Sequence, residues 1–118
     1  MTKVKVKNVL EKPLQQHAKQ DQSPTGFYRD GYCDTPAEDK GNHSVAGYVT
    51  DEFLDFTASQ GNDLRKQAGL KGGQKWCLCA SRWKEAFDAA SGNTSDKRVP
   101  KIRMDATNIR ALDVVGFK

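Results

Sequence analysis

The chain has 118 residues, of which 36% are apolar and 29% charged, with a formal net charge of +4. That length suits one domain, 1–118, with a small core and long polar loops. No run approaches the ~18 apolar residues of a membrane span, and the lysine-rich start lacks the apolar core of a secretory signal. The chain is therefore expected to be cytoplasmic, with no membrane contact and with reduced thiols. Three cysteines are an odd number and too sparse for a disulfide framework.

The charge is unevenly spread. Residues 1–20 hold five Lys against one Glu, residues 21–60 two basic against eight acidic, and residues 61–104 ten basic against four acidic. A basic face over residues 61–104 suits nucleic acid or a small anion. The plainer reading is that acidic and basic segments pair in the fold or are solvated. No stretch alternates Arg with aromatic residues as single-strand binders do.

In chain order, residues 1–8 read as a loose tail or edge strand, with Val4 and Val6 separated by lysines that discourage further pairing. The remainder up to residue 25 reads as loop, with a turn at Ser23-Pro24-Thr25-Gly26. Residues 27–43 place Phe27, Tyr28 and Tyr32 among turn formers and read as an ordered irregular loop pinned by its aromatics. Ser44 to Val49 predicts a short strand. Thr50 then caps a helix with Asp51 and Glu52 in its first turn and Phe53, Leu54, Phe56 and Thr57 on its apolar face, and Gly61 closes it. Residues 61–74 read as a glycine-punctuated connection. Lys75 to Ala80 predicts a second strand, and Ser81 caps a second helix carrying Trp83, Ala86, Phe87 and Ala90 up to Gly92. After a polar loop over 91–98, Val99 to Asp105 predicts a third strand. Thr107 caps a last short helix with Ile109 and Leu112, and Val114-Val115 predicts a terminal strand.

These strands are not the continuous apolar runs of a parallel sheet buried on both faces. The expected class is α+β: a small mixed or antiparallel sheet with two to three short helices packed on one side, a two-layer sandwich with long ordered loops.

Candidate chemistry gathers in two places. Cys77-Leu78-Cys79 on an extended segment turns both sulfurs to one face. With Cys33 and His17 they form a candidate zinc set, although Cys-x-Cys is one residue too close for a zinc knuckle. The plainer reading is two small apolar residues facing the core. The second place is the acidic loop, with Asp39 and His43. There, Cys33 with His43 as base is a candidate nucleophile, while Asp39 as a turn cap is the plainer role. Arg82, where a helix follows a strand, is a candidate anion ligand. The candidate binding residues are therefore Cys33, Asp39, His43, Cys77, Cys79 and Arg82, converging where the 27–43 loop meets the 75–83 strand–helix unit.

Several of these segments recur together elsewhere. Thr25-Gly26-Phe27-Tyr28-Arg29-Asp30-Gly31, Glu38-Asp39 to His43, Phe53-Leu54 to Gly61-Asn62-Asp63-Leu64, and Lys75-Trp76-Cys77-Leu78-Cys79-Ala80-Ser81-Arg82-Trp83 resemble the bacterial family called domain of unknown function 2237. The likeness runs from about Asn8 to Val115. It implies a two-layer α+β domain and brings no activity. It also implies further cysteines where this chain has His17, Tyr32 and Ala46. A six-thiolate site is therefore not expected here, whereas three cysteines with a histidine remain available. The overall reading is a binding or accessory module. The alternative is a metal- or thiol-dependent enzyme using the 27–43 loop and the Cys77/Cys79 strand.

Overall fold

Strand-forming residues in this chain occur in short bursts, and a computed structural model shows them as two small antiparallel sheets. It describes residues 2–19 and 25–115. The Ser23-Pro24 half of the expected turn lies outside them.

The first sheet pairs β1, Thr2–Lys7, with β2, Pro13–Gln15. The N-terminal segment is thus an edge strand. Its partner is a strand that three residues are too few to announce. Asn8, only 1% exposed, organises the return: its side-chain oxygen accepts from the Leu10 and Lys12 N–H groups, and its amide donates to Asp105 O.

The second sheet has the order β4-β3-β5, with β3 at Val45–Tyr48, β4 at Lys75–Leu78 and β5 at Lys101–Ile102. Its register pairs Val45 with Leu78 and Ala46 with Cys77. Alternation along a strand then gives the two faces different jobs. Val45 and Leu78 join a core with Phe53 and Leu54 of α1, Asp51–Ser59, and with Trp83 and Ala86 of α3, Ala80–Ala89. Ala46 and Cys77 face the opposite way and form a second cluster with Cys33 and Ala106. Helices therefore cover one face of the sheet, and irregular chain covers the other.

Local signals explain most helix ends. Thr50 Oγ1 accepts the Phe53 N–H at 2.9 Å, as an N-cap should. The apolar spacing of α1 puts Phe53 and Leu54 fully inside, each contributing about 1.5–3 kcal/mol by burial. In α3, Trp83 stacks on Phe87 at 5.2 Å and its indole N–H donates to Pro100 O.

The structure departs from the sequence reading at several points. The 61–74 connection contains α2, Leu64–Ala68, capped by Asp63 and closed by left-handed Gly69. The cap of α3 is Cys79, which makes no side-chain capping bond, rather than Ser81. The expected strand over 99–105 shrinks to two residues and gives way to a 3-10 turn at Met104–Ala106. The last helix is a 3-10 turn, Ile109–Asp113, capped by Asn108. Thr107 instead accepts the Ala46 N–H and donates to Arg103 O. Val114 and Val115 form a turn and a bend, not a strand. Of the loop aromatics only Tyr32 is buried; Phe27 and Tyr28 are 44% and 51% exposed.

The largest correction concerns the thiols. Cys33 and Cys77 form a disulfide across 44 residues, with Cα atoms 5.3 Å apart, and Cys79 is the free cysteine. The odd count concealed one bridge and one leftover thiol. Native protein should therefore bind one equivalent of a thiol reagent, rising to three after unfolding and reduction. Replacing Cys33 and Cys77 together with Ser should lower stability by about 4 kcal/mol, the chain-entropy value for a loop of this size, as read by urea denaturation. Three reactive thiols in unreduced native protein would contradict the bridge.

Candidate functional site

The 25–43 loop reaches the sheet by a series of specific attachments. Thr25, fully buried, accepts the Cys77 N–H at 2.7 Å, so a hydroxyl satisfies a donor on the outer edge of β4. Gly26 follows at φ +91, and a side chain there would collide with the Tyr32 carbonyl. The disulfide at Cys33 then fixes the loop to the sheet.

Downstream, the loop closes on Asp39, which is 5% exposed. Thr35 Oγ1 donates to its Oδ2 at 2.6 Å and the His43 N–H donates at 3.0 Å. The His43 ring lies with Nδ1 3.0 Å from Oδ1. Burial opposes charge on Asp39, but these hydrogen bonds outweigh it and hold its carboxyl below the ordinary value. With Nδ1–H donated to the carboxylate, the His43 lone pair sits on Nε2. Gly41 leaves room for the ring; a Cβ there would overlap it. Arg110 braces the same loop by donating to Pro36 O at 2.7 Å.

The end of β4 comes alongside. The Ala80 N–H donates to Asn42 O at 3.0 Å, which sets the 79–80 peptide beside 42–43. A pocket of about 430 Å³ opens here. Trp76, Cys77, Leu78 and Cys79 run along it, and Phe27 and Arg29 come from the loop. His43 lines it, Leu64 and Gln67 come from α2, and Arg82 from α3. The Arg29 guanidinium lies 5.6 Å from the centre of the Trp76 ring, within cation–π range. Arg82 is half-buried and committed in part to structure, donating to Gln60 O at 3.0 Å and Glu85 at 3.3 Å. It therefore pairs within the helical layer. Cys79 Sγ lies 3.2 Å from Ser81 Oγ.

Of the six candidate residues, the structure brings His43, Cys77, Cys79 and Arg82 to one pocket. Asp39 stands behind His43, and Cys33 is bonded to Cys77 beneath the surface. The pairing of Cys33 with His43 as nucleophile and base does not hold in this state, because the Cys33 sulfur is in the disulfide and fully buried. The zinc set is likewise not assembled: two of its sulfurs are bonded to each other. Among the described residues no three His, Cys, Asp or Glu side chains gather closely enough to hold a metal ion. Arg29 and α2 are not among the sequence candidates, and Trp76, which from sequence reads as a core or loop anchor within the 75–83 unit, lines the pocket. The Asp63 cap and Gly69 were the available signals for α2.

The chain matches the family described as "Uncharacterized protein conserved in bacteria (DUF2237)" over residues 7–118. It belongs to that family. No curated protein matches it. Membership agrees with the small α+β fold and brings no enzymatic activity. Among the described residues no helix is long and apolar enough to cross a membrane.

His17 has a different role from the one sequence proposed. It is 1% exposed, and its Nε2–H donates to Gly47 O at 2.9 Å. Its ring meets Tyr48 edge-on, and Nδ1 has no hydrogen-bond partner among the described residues. Burial, helped by Lys75 and Arg103, lowers its pKa from the ordinary 6.5 to about 4. Between those values the unfolded chain binds a proton that the folded one does not. Stability is thus complete above the unfolded value of 6.5 and falls as the pH drops toward 4, by about 3 kcal/mol at the lower end. Asp39, held below its ordinary value, acts in the same direction at still lower pH. Urea denaturation of wild type at pH 7 and pH 4 should show this loss, and His17→Gln should remove most of the difference. An equal fall in both proteins would assign the acid sensitivity to other groups.

Proposed function

We propose that this domain is a binding module for a small anionic molecule with a flat or apolar body, held in the pocket between the 25–43 loop, β4 and α2. One observation carries the reading: a pocket of about 430 Å³ in which Phe27, Leu64 and Trp76 meet Arg29, His43 and Arg82, with polar groups forming rather more than half of the surface. A concave site that joins an aromatic wall to a few convergent cationic and polar groups suits a small anion with an apolar part. Trp76, Phe27 and Leu64 offer the apolar body. Arg29, stacked on the indole, offers a guanidinium for a carboxylate or phosphate. His43, set by Asp39, offers a ring nitrogen.

The net charge of +4 suits an anionic ligand. On the acidic side of α1, Asp55 is already paired with Arg65 of α2 at 2.6 Å. A cytoplasmic location is part of the proposal. Cys33 and Cys77 are 0% and 1% exposed, so reductants reach their bond only when the chain opens, which lets it persist even though disulfides are uncommon in a reducing compartment.

Titration of isotope-labelled protein with benzoate and with inorganic phosphate at low salt tests the reading. The expected result is saturable shifts at Trp76, His43 and Arg29 with one of the two probes. Arg29→Ala should weaken that binding about tenfold, the order of one charge-assisted hydrogen bond. Unchanged spectra with both probes at millimolar concentration would sink the proposal. Shifts elicited instead by an oligonucleotide, spread over the basic residues of 61–104, would move the binding role to a nucleic-acid surface.

A further inference from the structure

The pocket contains a thiol that a binding role leaves unused. Cys79 is partly exposed, while the other two cysteines are sealed in their disulfide. It is the N-cap of the ten-residue helix α3 and spends no side-chain bond on capping. The Ala80-to-Asn42 hydrogen bond holds its peptide against the segment that carries His43. The His43 ring is oriented by a buried carboxylate, which is itself fixed by Thr35 and by a backbone N–H. A thiol, an imidazole and an orienting carboxylate are the three parts of a cysteine nucleophile.

We propose that Cys79 is the nucleophile of an acyl-transfer site, with His43 as its proton acceptor and Asp39 as the residue that positions His43. The proposal rests on the pocket binding reading given above, and it names the substrate class as small esters or thioesters that carry an anionic group. Cys79 Sγ attacks the acyl carbon and its proton passes to His43 Nε2. The new S–C bond forms as the bond to the leaving oxygen or sulfur breaks, and His43 returns the proton to the leaving group. Water then attacks the thioester and gives a proton to His43, which passes it to the departing Cys79 sulfur. The products are the free acid and the regenerated thiol. In the first turn of α3 the Ala80, Arg82 and Trp83 N–H groups already have acceptors; the Ser81 N–H, next to Cys79, is the group that suits the negative charge developing on the carbonyl oxygen.

The test uses full-length protein with its disulfide intact and p-nitrophenyl acetate as probe, a neutral ester that needs no anion site. The reference is the same chain in guanidinium, where Cys79 has no His43 beside it. Folded protein should gain one acetyl group on Cys79, located by peptide mass mapping, at least tenfold faster than the unfolded chain. Cys79→Ser should lose this labelling. His43→Gln should slow it about 100-fold, within the range of general-base catalysis, and should flatten its pH profile. Asp39→Asn should slow it less and displace that profile, with the amide fingerprint reporting that the fold persists. Labelling no faster than in guanidinium, labelling elsewhere, or an unchanged rate in His43→Gln would each overturn the proposal. Benzoate titration of Cys79→Ser separates the two readings. Retained benzoate binding with slow acetylation of wild type removes the nucleophile alone. Fast acetylation without benzoate or phosphate binding keeps the nucleophile and removes the anion site.

Discussion

Among the described residues no α-helix covers the outer face of the three-stranded sheet, and the Cys33–Cys77 bond is what lets an irregular loop do so. A loop laid on a sheet loses conformational entropy along its whole length, and this one offers little apolar area in return. Its neighbours on that face are Ala46 and Ala106, both small. The bridge cuts the number of unfolded conformations instead, and the buried Thr25 hydroxyl satisfies the β4 edge donor that a loop would otherwise leave unpaired. The part of the pocket that comes from residues 26–33 lies between these two attachments.

The second anchor lies at the other end of the loop. Asp39 accepts from Thr35, from the His43 backbone and from the His43 ring, so one buried carboxylate both closes the turn and aims the imidazole. Arg110 holds that turn to the C-terminal part of the chain. The plain structural role expected for Asp39 and the chemical role therefore coexist in one side chain. That is why a change at Asp39 must be judged on fold and on pH profile together, and why His43 is the cleaner probe.

Where the sequence carried strong periodic signals, the fold was legible from it. Thr50 before an acidic first turn, with Phe53, Leu54 and Thr57 in helical spacing, placed α1; the Trp83-Ala86-Phe87-Ala90 spacing placed α3. The misses have physical causes. Five residues are too few to show a helical period, so α2 was announced only by its caps. A two-residue β5 depends on neighbours on β3 rather than on its own propensity. The disulfide was hidden because pairing is decided in space: Val45 opposite Leu78 sets Ala46 against Cys77, and only then does the loop bring Cys33 to that face. The convergence at the loop–strand junction was readable from the residue types, but which cysteine stays free was not.

That last point alters what Cys-x-Cys means in this chain. Strand alternation would give two adjacent cysteines of one face equal status. Here the strand ends between them: Cys77 lies inside a hydrogen-bonded ladder, 1% exposed, while Cys79 lies where the chain turns into α3. A one-residue spacer across a strand end thus yields one sulfur committed to the scaffold and one presented to the pocket. A knuckle spacing would have kept both sulfurs available to one metal. The tighter spacing separates them: Cys77 is bonded to Cys33, while Cys79 stays free and lines the pocket that His43 also lines.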